Sequence, residues 1–277
     1  MPDVAVIDLE TTGLGKFDRV IEIGVVRLDG ATFETIDEFE SLVYPGRDVG
    51  PTRIHGITAT MVSAAPTFQD PLLAAALDGA VLVAHNLPFD RRFLGAELER
   101  AGVAADLGEG ICTLSLTRAS LDDACRELAI ERRDAHRALT DARACGLLLR
   151  ALVGSQRPGG SPAAFPELPM EMIPHTLHRD QVGGSRLEGR RRARPLRLPE
   201  VEEAPLVYLH LLDTYLADGA LSDEELADLR GFAASMSLGD VDGLHLRYLE
   251  AARRAVEQDG LVSAAEIEYL RQLHMAL

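Results

Sequence analysis

The chain has 277 residues, 47% of them hydrophobic and 26% charged, with a formal net charge of −16. That length exceeds one average domain and falls short of three, and the composition is too apolar for a mainly disordered chain. No run approaches the ~20 apolar residues of a membrane helix, and the N-terminal MPDVAVIDLETTG has no basic lead. Three cysteines without CxxC spacing indicate neither a disulfide framework nor a zinc site, so a cytoplasmic, non-membrane setting is expected.

Val4–Leu9 and Arg19–Asp29 are apolar runs, the second rich in β-branched residues, and Phe33–Tyr44 alternates. With Gly13, Gly15 and Asp29-Gly30 as turn signals, the three predict an antiparallel meander. A helical stretch over Pro71–Leu77, a buried strand over Ala80–Ala84 and a helix over Asn86–Arg100 follow, then a fifth strand within Gly110–Leu114. Leu121–Leu128 and Ala138–Leu152 have helical spacing. The alternation predicts an α/β domain over residues 1–153. Residues 154–204, with Pro158-Gly159-Gly160, Gly183-Gly184 and Arg190-Arg191-Arg192, read as a linker, and 205–277 as a small all-α domain.

The charge is uneven: −9 over 1–153, +4 over 154–199 and −11 over 200–277. An acidic chain argues against a nucleic-acid partner unless its deepest negative site is neutralised by cations.

Three segments carry chemistry. In Val6-Ile7-Asp8-Leu9-Glu10-Thr11-Thr12-Gly13-Leu14, strand alternation turns Asp8 and Glu10 to one face. Two carboxylates at the end of an apolar strand are costly without cations, and hard oxygen ligands suit magnesium or manganese. A strand running out into a solvated acidic turn is the plainer alternative. In His85-Asn86-Leu87-Pro88-Phe89-Asp90, Asn86 reads as a helix cap, and Asp90 in the first turn serves either a site or the helix dipole. Phe89 and Phe93, four apart, suit a core. In His136-Arg137-Ala138-Leu139-Thr140-Asp141, a continuous helix would start at His136 and aim Asp141 into the same cleft from the next turn, or the pair is capping and surface charge.

Together and in this order, DLETTGL, HNLPFD and HRALTD resemble the motifs of the DEDDh (DnaQ-like) 3′–5′ exonucleases, a family that includes the proofreading epsilon subunit of bacterial replicative polymerase. The likeness covers residues 3–152, and Ile54-His55-Gly56-Ile57-Thr58 resembles a connecting segment of the same family. It implies an RNase H-like mixed five-stranded sheet flanked by helices. It also implies that Asp8, Glu10, Asp90 and Asp141 hold two Mg²⁺ or Mn²⁺ ions, that His136 takes the proton of the attacking water, and that Thr11, Thr12, Leu14, Asn86 and Phe89 meet the substrate. The expected reaction is removal of nucleotides from a single-stranded or frayed DNA 3′ end in proofreading or repair. RNA 3′-end trimming, or a non-catalytic adaptor on the same fold, are the alternatives. The segment from Cys112-Thr113-Leu114 to His136 is short for the family.

Residues 205–277 resemble the TerB-like helical domain. Ala217-Asp218-Gly219-Ala220-Leu221-Ser222 with Glu225 is echoed by Gln258-Asp259-Gly260-Leu261-Val262-Ser263 with Glu266. Ala255 at the first ligand position speaks against a calcium loop, and Ser222 and Ser263, each with an acid three residues on, are predicted helix caps. The last six residues, 272–277, resemble a sliding-clamp or polymerase docking peptide, while Ile267, Leu270, Leu273 and Leu277 keep the spacing of an ordinary last helix. Arg186, Arg190, Arg191, Arg192, Arg194 and Arg197 form a basic run that is either solvated or follows a nucleic-acid strand.

Overall fold

A computed structural model describes residues 1–68, 71–132, 136–154, 160–166, 176–182, 195–216, 220–258 and 262–277. Most of the basic run, and the Asp-Gly turns at 218–219 and 259–260, lie outside these.

Among the described residues the strands are β1 (Asp3–Thr11), β2 (Val20–Leu28), β3 (Thr35–Leu42), β4 (Ala80–Ala84) and β5 (Ile111–Cys112). They form one mixed sheet in the order β3-β2-β1-β4-β5. β1, β2 and β3 make the expected antiparallel meander, and β4 adds parallel to β1, with β5 parallel to β4. β1 is therefore central, and Val4 to Ile7 are all buried, which is why the segment reads as an unbroken apolar run. β5 is only two residues long, because Thr113 already begins a helix.

The helices are α1 (Thr52–His55), α2 (Ala59–Val62), α3 (Pro71–Leu77), α4 (Leu87–Arg100), α5 (Thr113–Thr117), α6 (Leu121–Glu127), α7 (Ala138–Val153), α8 (Arg179–Val182), α9 (Glu203–Tyr215), α10 (Asp223–Ser235), α11 (Val241–Glu257) and α12 (Ala264–Ala276). Two compact units result: Met1–Gly13, Asp18–Thr113 and Ile130–Leu187 form the first, and Leu14–Phe17, Leu114–Ala129 and Glu188–Leu277 the second.

In the first unit Ile7, Leu9, Ile23, Val25, Leu82 and Ala84 pack with Leu87, Phe93, Leu94 and Leu98 of α4 in one core. α7 lies across β1 and β2. Gly24 permits this approach: a Cβ there would stand 2.2 Å from the Leu139 nitrogen and 2.3 Å from the Ala138 carbonyl carbon. The described parts of the segment read as linker are anchored. Ala163 N–H donates to Ala80 O (2.9 Å) at the start of β4, and Leu42 N–H at the end of β3 donates to Leu177 O (2.8 Å).

In the second unit Leu196 N–H donates to the buried Asp123 carboxylate (2.9 Å), and Arg197 bonds Thr117 O and Glu127. Tyr248 donates to Asp213 (2.6 Å), joining α11 to α9, and the Tyr208 hydroxyl meets His245 Nε2 at 2.7 Å. α10 and α12 open on complete capping boxes, Ser222 with Glu225 and Ser263 with Glu266, as the sequence predicts. Residues 272–276 are the last turn of α12, with Leu273 fully buried and Met275 exposed. No helix among the described residues is long and apolar enough to cross a membrane.

Candidate active site

β1 stays extended through both of its acids, so the strand does not fray into a solvated turn at this point. Asp8 stands opposite Gly24, and Glu10 opposite Glu22. Directly opposed residues share a face, and this face is the one that α7 covers through Gly24. Glu10, Asp90 and Asp141 are buried and Asp8 is partly so.

Burial, then the nearby charges of Asp141, Asp90 and Glu10, push the Asp8 carboxyl well above the usual carboxylate range. Glu10 is raised by burial, then by Glu22 and Asp141, against the pull of Arg179 and Arg132. Asp90 is raised by burial, although backbone N–H groups of its own residue and of Leu9 favour its ionised form. The mutual repulsion shows that carboxylates from β1, α4 and α7 share one locus. One donor atom each from Glu10, His136 and Asp141 lies within 4.8 Å of the others.

Asp141 is held differently. Arg132 grips it bidentately through Nε and Nη2 (2.8 and 2.6 Å), and His136 N–H donates to its Oδ2 (3.0 Å). His136 is not on the helix, as a continuous HRALTD helix would require. It precedes α7 with a φ of 61°, a left-handed conformation uncommon outside glycine. This turns its main chain back onto Asp141, so the two residues meet through a tight turn and not through helical spacing.

The expected substrate residues are distributed as follows. Thr11 ends β1 and Thr12 follows it, both buried, with Thr11 Oγ1 donating to Gly13 O (2.9 Å) and Thr12 Oγ1 to Asp18 (2.8 Å). Asn86 stands at the N-cap position of α4, yet its side chain makes no capping bond, and its buried Oδ1 accepts no hydrogen bond among the described residues. Phe89 is half-buried with its ring 4.8 Å from that of Phe93, and the Arg92 guanidinium lies over both. Leu14 is buried and groups with the second unit.

Two residues were missed by sequence reasoning. Glu22 is fully buried beside Glu10, accepts from Ala138 N–H (3.1 Å) at the start of α7, and pairs with Arg179 at 3.3 Å. Burial pushes its carboxyl up to about 7, with Arg179 as the main opposing influence. A lone acid inside the β-branched run Val20–Val26 was its available signal. Arg179 is 4% exposed and lies in the stretch read as linker, where composition hid it.

The exonuclease family model matches residues 5–149, slightly more than half of the chain. A PolC-type DNA polymerase III of Oceanobacillus iheyensis is 37% identical over 161 residues, 53% of this chain and 11% of that protein. A putative bifunctional exonuclease/endonuclease protein of Mycobacterium tuberculosis is 36% identical over 170 residues, 53% of this chain and 26% of the relative. The chain thus spans about a quarter of one of these relatives and about a tenth of the other. Exonuclease X, solved in complex with 5′-overhanging duplex DNA, superposes with a TM-score of 0.44 and 29% identity, covering 55% of this chain and 92% of that one. The motifs in chain order resemble those of the DEDDh type, and the family match over residues 5–149 identifies this chain as a member of the exonuclease family.

Proposed function

We propose that this protein is a metal-dependent 3′–5′ exonuclease that removes nucleotides from DNA 3′ ends in proofreading or repair. One observation carries the reading: burial, with the carboxylates of α4 and α7 close by, pushes the β1 carboxyls Asp8 and Glu10 well above the usual carboxylate range at a single locus. Such a cluster is stable in ionised form only against cations, and its hard oxygen donors with one imidazole suit magnesium or manganese. Asp8, Glu10, Asp90 and Asp141 would hold two such ions. When bound, the ions supply charge stabilisation on the scissile phosphate and a water acidic enough to attack it.

The remaining work falls to the protein. His136 accepts the proton of the attacking water, a task suited to imidazole, and its main chain fixes Asp141. The backbone at Thr11 and Thr12 meets the terminal 3′ hydroxyl, and Leu14 wedges against the terminal base. Asn86 offers an Oδ1 that accepts no hydrogen bond among the described residues, and Phe89 an apolar wall, to the same nucleotide. The DNA preference draws support from the polymerase relative. Residues 1–153 would form the exonuclease domain, 154–204 a connector and 205–277 a TerB-like helical domain. A clamp or polymerase partner at residues 272–277 would grip exposed Met275 or unwind the last turn, since Leu273 is buried.

The test is turnover of 3′-labelled and 5′-labelled oligonucleotides, as matched DNA and RNA, with Mg²⁺ or Mn²⁺. Stepwise shortening of DNA from the 3′ end is expected. Faster loss of RNA would favour the trimming alternative, and no turnover of either would favour an adaptor.

A further inference from the structure

We infer that Arg179, carried by a strap at residues 177–180, is a positioning residue that holds His136 and the start of α7 in their working arrangement. The inference rests on the nuclease reading for what His136 does, but its geometry stands apart from that reading.

Arg179 is almost fully buried although it lies far downstream of everything it touches. Its Nη1 donates to His136 O (2.9 Å) and to the Glu22 carboxylate (3.3 Å), and its Nη2 donates to His55 O. One guanidinium thus ties together the segment before α7, the middle of β2 and the end of α1. The rigid planar fork of arginine reaches three acceptors at fixed angles, which a lysine cannot do.

The strap is itself seated. Leu177 O accepts from Leu42 N–H (2.8 Å), Leu177 N–H donates to Ser41 Oγ (3.1 Å), and Asp180 pairs with Arg137 at 2.8 Å. Arg137, the residue after His136, also pairs with Glu40 at 3.2 Å, and His178 Nδ1 meets the other oxygen of Glu40 at 3.3 Å. Both His136 and Arg137 are therefore gripped by the same strap. A left-handed φ at a non-glycine residue persists only where its surroundings over-determine it, and the bond from Arg179 to the His136 carbonyl is such a constraint. Because His136 N–H in turn binds Asp141, loosening the carbonyl would displace the imidazole and Asp141 together.

The full-length chain is tested as wild type, Arg179→Met, Arg179→Lys and the double variant Arg179→Met/Glu22→Gln. Turnover, melting temperature and amide exchange of the peptide covering residues 136–142 are read for each. Arg179→Met should lower kcat ~30- to 100-fold with KM within about threefold, because a small misplacement of a reacting group suffices for such a loss. Exchange in 136–142 should quicken at least ~tenfold, with Arg179→Lys in between. Removing the arginine also leaves Glu22 as a buried unpaired charge, so Glu22→Gln should recover the melting temperature of the double variant but neither kcat nor the exchange protection.

Recovery of all three would reduce Arg179 to a charge-balancing role and overturn the inference. Unchanged exchange and kcat in Arg179→Met would do the same. A wild-type chain without turnover, whose 136–142 exchange still depends on Arg179, would overturn the nuclease reading and support the strap.

Discussion

In the first unit Asp8, Glu10 and Asp90 gather at one end of the sheet with their ionised forms disfavoured, whereas in the second unit Glu225 and Glu266 each accept from the backbone N–H and the hydroxyl of their own cap serine. The residue type is the same and the physical situation is reversed. At a helix N-terminus a carboxylate completes free N–H groups and adds stability; massed with others under a helix it costs stability and gains a use only with a cation. Glu22 stands between these cases, fully buried but supplied with one arginine and one helix N–H.

Five substitutions break or sharpen the contrast. Asp8→Asn should lower turnover about 10³-fold or more while raising the melting temperature, since it removes a buried repulsive charge; the paired assay of rate and thermal unfolding checks it, and a near-normal rate would contradict the role given to Asp8. Gly24→Ala forces a methyl into the main chain of α7, and we expect about 3 kcal/mol of destabilisation by chemical denaturation together with loss of activity.

A pair of changes concerns pH. Glu22 titrates at about 7 in the fold against an unperturbed 4.5, so the native state holds the extra proton between these values and stability falls as pH rises through that window, by about 3 kcal/mol. His55 is the mirror case. Burial, aided by the Arg179 and His136 charges, lowers it to about 4 from 6.5, so the unfolded chain binds the extra proton and a similar ~3 kcal/mol is lost as pH falls from 6.5 to 4. The two slopes partly cancel in the native protein. Glu22→Gln should expose the His55 slope and His55→Asn the Glu22 slope, read as melting temperature against pH. Ser222→Ala is the smallest effect, about 1 kcal/mol from a lost cap, with activity unchanged.

The four longer strands and the long helices were legible because each keeps its period over many residues: Val4–Leu9, Ala80–Ala84 and Ala138–Leu152 lie inside β1, β4 and α7. The serine caps were legible because capping is local, needing only a serine and an acid three residues on. What escaped depends on distant chain. The left-handed turn at His136 is not announced by its motif, since its carbonyl is held by Arg179, 43 residues further along the chain. Asn86 occupies the cap position that sequence suggests, but its side chain is buried there without bonding the helix. Residues 160–166 and 176–182 carry the composition of a connector and the hydrogen bonds of a domain, because main-chain groups such as Leu177 O and Ala163 N–H pair regardless of side chain.

The most direct measurement is calorimetric titration of the metal-free protein with Mn²⁺. Divalent binding is predicted for the wild type, weakened at least ~tenfold in both Asp8→Asn and Asp141→Asn, with Ser222→Ala binding like the wild type. Equal Mn²⁺ affinity in all four proteins would contradict the claim that these carboxylates form a cation site.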